Sequence, residues 1–382
     1  MPKKKILMPI LEAGAGHKMP ALAVKDSIEE LYPGKYQIDV VDFAVAAGAL
    51  SADKRMKAFW DACLKNKAFA KATYSLMEWT HPVCHLVLPV GFGSFIRKGR
   101  EFVRQYNPDL IFSSHYYSLT VAAMARDKLK LPAKVIGCIT DPFDAYAFWC
   151  EKRADYIVVS SERSKKKCIR RGVQPWRIKV LPFPVNNKFL RPSHNREETR
   201  KAYGIDPSKP TILTSEGGQG IGMIARFVRE MYRKGVPVNI LNVCGKNTAL
   251  KEELDRMVQT EKSATNLIPL GFVNNMNELL AASDLCIAKA GASTTFEALF
   301  MNVPIIFTSW ANQAEKPNID YCVENNAGWY TPDTATFWKT MDEILSTDIL
   351  KTYRKNIENL HLKSGADDIA RFVVEQLEGK AE

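Results

Sequence analysis

Short apolar runs alternate with amphipathic stretches along most of this chain. Ile6–Leu11, Tyr36–Phe43, Leu110–Ser113, Lys134–Ile139, Tyr156–Ser160 and Ile178–Leu181 read as strands. Brief continuous apolar runs suit strands covered on both faces. His17–Leu31, Ser118–Leu129 and Ser161–Arg171 carry a helical period between them. Strand and helix in alternation predict mostly parallel sheets with helices packed on them.

The pattern stops at Leu181. Pro182, Pro184, Pro192 and the polar run Ser193–Arg196 predict a linker. Alternation restarts with strand Thr211–Thr214, helix Met223–Tyr232, strand Pro237–Val243, helix Asn247–Gln259, strand Asn266–Pro269 and helix Met276–Ala282. Strand Asp284–Ala288, helix Thr295–Phe300 and a strand around Pro304–Phe307 follow, and the tail Trp338–Glu378 reads as helical. The expected fold class is therefore α/β: two Rossmann-like doubly wound domains facing a cleft. The expected boundaries are 1–185 and 186–382, with the C-terminal helix able to cross back to the first domain.

Ser51–Arg100 breaks the alternation. Phe59, Trp60, Phe69, Tyr74, Trp79, Phe92 and Phe95 are interleaved there with Lys54, Arg55, Lys57, Lys65, Lys67, Lys71, Arg97, Lys98 and Arg100. Val87–Gly93 holds a proline and two glycines and is a poor helix candidate. Basic residues beside exposed aromatics suit an interfacial membrane contact; aromatics capping the first core are the alternative reading.

Composition sharpens this picture at two points. The 382 residues are 46% hydrophobic and 25% charged, ordinary for a folded soluble protein, and are ample for two domains. No run approaches the roughly 18 apolar residues of a membrane span. Met-Pro-Lys-Lys-Lys and the apolar run after it predict a first strand rather than a signal peptide. The eight cysteines are scattered without a CxxC, which suits reduced buried thiols in a cytoplasmic protein. Charge is uneven: residues 1–200 hold 34 of the 53 Lys and Arg but only 19 of the 42 Asp and Glu. An anionic membrane leaflet or a nucleic acid would suit the first half. No nucleic-acid motif class appears, so no nucleic-acid partner is expected.

Candidate chemistry gathers at strand ends. After strand Asp284–Ala288 come Lys289 and the small-residue turn Ala290-Gly291-Ala292-Ser293-Thr294, then a helix. A bare turn before a helix N-terminus suits a phosphate. Glu297, expected in the first helical turn, would reach ribose hydroxyls, and Lys289 would add charge. Gly217-Gly218-Gln219-Gly220 also joins a strand to a helix but lacks the Lys-Ser/Thr of a P-loop. In the first domain, Gly14 and Gly16 lead to His17 at a helix start, where the positive helix end favours neutral imidazole and a general base. His115 and Asp141 follow strands expected in the same sheet, so both should open on the same edge. Asp141 would orient His17 or the acceptor, or cap a turn. No HxxxH, DxD or carboxylate pair points to a metal.

Lys289-Ala290-Gly291 with Thr294, Glu297 and the run Pro304-Ile305-Ile306 resembles the nucleotide-sugar segment of MurG and, more closely, of the monogalactosyl- and glucosyl-diacylglycerol synthases. Gly14–His17 resembles their GGGH step, Ile139-Thr140-Asp141 their (V/I)TD step and Trp149 their downstream Trp. Gly217–Gly220, the Cys244-Gly245-Lys246-Asn247 step, and Gly271-Phe272-Val273 resemble their diphosphate and base contacts. Tyr146 stands where galactolipid synthases have His, and Ala314 separates Gln313 from Glu315, which are adjacent in the family. Asn318 completes the polar cluster. The resemblance implies a GT-B inverting transferase moving a hexose from UDP-glucose or UDP-galactose to diacylglycerol. His17 would be the base, and no metal or other cofactor is expected. It implies a cytoplasmic protein, peripheral on the inner face of the membrane, meeting anionic lipids. Lys54, Arg55, Phe92 and Phe95 are the membrane candidates. A MurG-like N-acetylglucosaminyltransferase on a polyprenyl-linked acceptor and a non-catalytic UDP-sugar binder remain alternatives.

Overall fold

The computed structural model describes residues 2–12, 16–191, 195–215 and 223–379, with side chains throughout except at 64, 65, 67 and 81–91. The chain divides into two compact units, the first of residues 1–187, 311–314 and 363–382, the second of 188–310 and 315–362.

In the first unit β1 (Lys5–Ile10), α1 (Lys18–Leu31) and β2 (Gln37–Asp42) lead into three helices, α2 (Phe43–Ala46), α3 (Leu50–Lys65) and α4 (Lys67–Tyr106). Then come β3 (Leu110–Ser113), α5 (Tyr116–Leu129), β4 (Lys134–Cys138), β5 (Tyr156–Val159), α6 (Glu162–Arg170) and β6 (Ile178–Val180). The six strands pair in parallel in the order β2-β1-β3-β4-β5-β6. Apolar side chains fill both faces: Leu7, Ile111, Val135 and Ile157 on one, Ile6, Phe112, Ile136 and Val158 on the other. That two-sided burial is why these strands read as continuous apolar runs.

The second unit runs α7 (Arg196–Ala202), β7 (Thr211–Ser215), α8 (Met223–Arg233), β8 (Asn239–Val243), α9 (Thr248–Thr260), β9 (Asn266–Leu270) and α10 (Met276–Ala282). It continues through β10 (Leu285–Lys289), α11 (Ala292–Phe300), β11 (Ile305–Ser309), α12 (Lys316–Glu324), β12 (Gly328–Tyr330), α13 (Thr334–Ser346) and α14 (Ile349–Asn359). Its six parallel strands are ordered β12-β11-β10-β7-β8-β9. The last helix, α15 (Ala366–Glu378), packs on the first unit: Ile369, Phe372 and Val373 join Ile6, Met8, Val24 and Ile28 in one core.

Each sheet has one place where chain order reverses. β1 lies between β2 and β3, and β7 lies between β8 and β10. The connections leaving the two strands at such a point diverge to opposite sides and open a crevice at their C-terminal ends. In the first unit this brings the segment after β1, which ends in His17, beside Ser114 and His115 after β3. In the second it brings the turn after β10 to the same edge as the end of β7, where Ala288 pairs with Ser215.

Three expectations are corrected. Part of the expected linker is helix: Asn195 and Glu198 form a reciprocal capping box that starts α7 at Arg196. Val87–Gly93 is largely helical, but α4 kinks there, its two helical parts meeting at Phe92, which takes non-helical angles. The tail is helical as expected, in three helices, α13, α14 and α15. Finally, α11 begins at Ala292 with Gly291 as N-cap, so Glu297 sits in its second turn. Small residues at 292–294 are helix-compatible, and their lack of bulk had read as turn.

Candidate functional site

His17 is the N-cap of α1, and its side chain makes no cap bond. Its Nδ1 lies 2.9 Å from the Ser114 carbonyl and 2.9 Å from Thr140 Oγ1. A carbonyl only accepts, so Nδ1 carries the proton and Nε2 keeps its lone pair. Ser114 Oγ donates back to the His17 carbonyl at 2.6 Å. The ring meets His115 edge-on at 4.7 Å and lies 5.9 Å from Trp149 and 6.3 Å from Tyr116. Desolvation among these groups lowers the imidazole pKa to about 4, against a smaller upward pull from the Ser114 hydrogen bond. The neutral state expected from sequence is present, but burial rather than the helix end is its leading cause.

His115 is buried and caps α5, its Nδ1 accepting from Ser118 N at 3.4 Å; burial and the neighbouring His17 push its pKa well down. Trp149 is fully buried and donates its indole N–H to Asp141 Oδ2 at 3.0 Å. The ring of His17 is thus held by Ser114 and Thr140, two residues directly after β3 and β4 that sequence reasoning had not paired with it. The signal was their position one residue before His115 and Asp141. A Cβ on Gly16 would meet nothing within 4 Å, leaving space before α1. Gly14 lies outside the described residues.

In the second unit β10 and β11 slip register between Ala288 and Lys289, just where β10 gives way to the turn. Lys289 is half-buried, and among the described residues it has no hydrogen bond or ion pair. Among the described residues, a Cβ added at Gly291 would meet nothing within 4 Å. Beside it two buried polar atoms, Ser293 Oγ and Asn318 Oδ1, lack a partner among the described residues, while Asn318 Nδ2 donates to the Ala290 carbonyl at 2.8 Å. A ligand with both anionic oxygens and hydroxyls would satisfy these two atoms, since Ser293 Oγ can donate to an anion and Asn318 Oδ1 can accept from a hydroxyl. Desolvation pushes the Glu297 pKa up to about 7, only partly offset by the charge of Lys188. Ala290, Ala292 and Ser293 are buried and Thr294 half-buried. Gly217, Gly218, Gln219 and Gly220 lie outside the described residues.

At the ends of β8 and β9, Gly245 takes a φ of 59°, which favours glycine. Asn247 Oδ1 caps α9 at Leu250 N, 3.0 Å, and buried Cys244 Sγ accepts from Asn242 Nδ2 at 3.1 Å. Phe272 is 67% exposed and Val273 half-buried. Gln313 is half-buried, and Glu315 is the N-cap of α12 without a side-chain cap bond.

The membrane candidates divide. Lys54 and Arg55 are exposed on α3. Phe95 is 1% exposed and packs edge-on against Phe43 at 5.3 Å, while Phe92 leans on Tyr117 at 5.0 Å. Both belong to the core of the first unit, which corrects their assignment to a lipid surface. Lys57 is engaged by Asp53 and Asp42. The exposed apolar face of α4 is instead Phe69 (40%), Leu76 (57%) and Trp79 (80%), at helical spacing. Among the described residues no helix is long and apolar enough to cross a membrane.

Two parallel six-stranded sheets with candidate sites at their switch points define a GT-B-like protein, and crystalline MurG from Acinetobacter baumannii shares this fold, with a TM-score of 0.60 at 15% identity over 97% of this chain and 99% of that one. Residues 17–185 match the Monogalactosyldiacylglycerol (MGDG) synthase family and residues 213–371 the Glycosyltransferase family 28 C-terminal domain. The chain is similar in sequence to proteins named as diacylglycerol glycosyltransferases. A probable monogalactosyldiacylglycerol synthase of Nicotiana tabacum is 28% identical over 86% of the chain, which spans 62% of that protein's length. A processive diacylglycerol beta-glucosyltransferase of Bacillus pumilus is 26% identical over 75% of the chain and 74% of its own length.

Proposed function

We propose that this protein transfers a hexose from a UDP-sugar to diacylglycerol at a membrane surface, with inversion at the sugar. The observation that carries the reading is the Nδ1 contact of His17 with the Ser114 carbonyl, which leaves Nε2 unprotonated and the imidazole neutral well below pH 7. Nε2 takes the proton of the acceptor hydroxyl as its oxygen bonds to C1 of the sugar. The bond from C1 to the diphosphate breaks and UDP leaves with the electron pair. The start of α11, with Ser293 and Lys289, receives the diphosphate, Asn318 Oδ1 accepts from a hydroxyl of the sugar, and Glu297 accepts from the ribose hydroxyls. No metal is invoked; helix-end donors and Lys289 supply the charge. The similarity to relatives named for diacylglycerol supports that acceptor.

Since diacylglycerol stays in the bilayer, the protein acts as a peripheral protein on the inner, cytoplasmic face, among anionic lipids. Phe69, Leu76 and Trp79 enter the interface beside Lys54 and Arg55. The test is incubation with UDP-glucose or UDP-galactose and diacylglycerol in anionic liposomes, followed by lipid analysis. A monohexosyl diacylglycerol with inverted linkage supports the reading. Labelling only of a polyprenyl-linked acceptor by UDP-N-acetylglucosamine overturns it, as does UDP-sugar binding with neither transfer nor hydrolysis.

A further inference from the structure

The segment 141–149, which carries Asp141 and Trp149, is gripped from two helices by a buried polar network. Glu78 on α4 accepts from Ala147 N at 2.8 Å, at the start of the short 3-10 turn that ends in Trp149. The same carboxylate pairs with Arg171, which follows α6, and lies 3.8 Å from Lys167 Nζ. One turn earlier, Tyr74 donates to Asp144 Oδ2 at 2.6 Å, and Lys167 reaches Asp144 Oδ1 at 2.5 Å. Tyr74 also stacks on Tyr146 at 5.1 Å, and Tyr146 OH contacts Met77. Ser164 Oγ donates to the carbonyls of Pro142 and Asp144. Trp149, at the end of this turn, lies 5.9 Å from His17 and bonds Asp141.

We infer that Glu78 is a positioning residue for His17: by fixing Ala147 it sets Trp149 against the imidazole. The inference rests on the reading of His17 as the base. Glu78 is the member of the network that bonds the backbone of the turn itself, and it sits between two cations, so it is ionised and holds its place by charge-assisted hydrogen bonds. Its loss frees the N–H of Ala147, and the turn then keeps α4 through Tyr74 and Met77, which touch Asp144 and Tyr146 upstream of it. Water reaches the imidazole as Trp149 moves. The titratable and charged groups facing Glu78 are Lys167 and Arg171 from the α6 side, Tyr74 on its own helix, and Asp144 and Tyr146 from the segment. Those near His17 are His115 and Tyr116 from α5 and Asp141.

The experiment is Glu78→Ala in the full chain, which removes the acceptor of the Ala147 N–H, read by NMR titration of the His17 imidazole and by kcat and KM for transfer. The expected result is a His17 pKa that climbs from about 4 toward its ordinary 6.5. The acid limb of kcat should follow it, and kcat should fall about 10- to 100-fold with KM for the donor little changed. A folded Glu78→Ala protein whose His17 titration and kcat match wild type overturns the inference. Should Glu78→Ala fail to fold, Tyr74→Phe, which loosens the same segment by removing the bonds of Tyr74 OH with Asp144 and Lys167, is read by the same two outcomes. The NMR titration needs no turnover. A wild-type protein without transfer activity would therefore sink the base reading while this titration still decides whether Glu78 sets the surroundings of His17.

Discussion

Ser114 holds His17 twice, its carbonyl receiving the Nδ1 proton at 2.9 Å while its hydroxyl donates to the His17 carbonyl at 2.6 Å. Ring and backbone are tied to the same residue, so the orientation of Nε2 is inherited from the β1–β3 pairing in the sheet beneath.

Replacing His17 by Ala should lower transfer by about 10²–10⁴-fold, the usual contribution of one general base, with UDP affinity unchanged by calorimetry. Since the pKa is lowered to about 4, kcat of the wild type should stay level through the range where free imidazole titrates and fall only near that value. An acid limb centred at the ordinary imidazole value would mean that His17 is solvated or is not the base.

Glu297 offers a test in the opposite direction. Its folded-state pKa of about 7 stands above the ordinary glutamate value of 4.5. The unfolded chain therefore releases this proton first, and stability is lost as pH rises through that window. Glu297→Gln should match wild type in urea midpoint below the window and exceed it above pH 7. The same variant should bind UDP more weakly, by about 1–3 kcal/mol, when calorimetry is done at pH 8.

Gly291→Val separates fold from ligand. Gly291 has an ordinary φ of −66°, and among the described residues nothing lies within 4 Å of an added Cβ. Thermal stability should move by no more than about 1 kcal/mol, while UDP binding should be lost as the side chain fills the approach to α11. Retained binding would place the diphosphate elsewhere.

Leu76→Ser with Trp79→Ser tests the membrane face. Both residues are largely exposed, so the fold should lose about 0.5 kcal/mol or less. Co-sedimentation with acidic vesicles should fall roughly tenfold or more through lost interfacial burial. Equal sedimentation of variant and wild type would reject this face of α4 as the lipid contact.

Gly365→Ala should be severe. An added Cβ would lie 1.8 Å from the Pro182 carbonyl oxygen, and Gly365 N already donates to the Phe183 carbonyl at 3.1 Å. The loss should exceed about 2 kcal/mol, seen as a lower Tm and earlier proteolysis at α15.

The strands were legible because burial on both faces writes them as apolar runs: Leu110–Ser113 and the helix Met276–Ala282 fall at the residues expected. The helices of residues 50–106 were not, since glycine and proline in α4 argue locally against a helix that tertiary packing sustains. The polar cap Asn195–Glu198 hid a helix inside an apparent linker. At the site, the sequence put His115 and Asp141 on one sheet edge, while the position of His17 beside His115 came with the order β2-β1-β3. Its partners Ser114 and Thr140 were not legible, because small hydroxyl residues after a strand are too common to single out. Exposure was the least readable property: Phe95 and Trp79 look alike as sequence, yet one is core and the other is bare.

The docking of α15 on β1 and α1 has a consequence for biosynthesis. Phe372, Val373 and Ile369 complete a core begun by Ile6, Met8, Val24 and Ile28, which leave the ribosome first. The second unit, by contrast, is drawn from one stretch of chain apart from residues 311–314. Translation therefore delivers the later unit ready to close while the earlier one still shows an apolar face, and any stop before Gly365 strands the half of the protein already made.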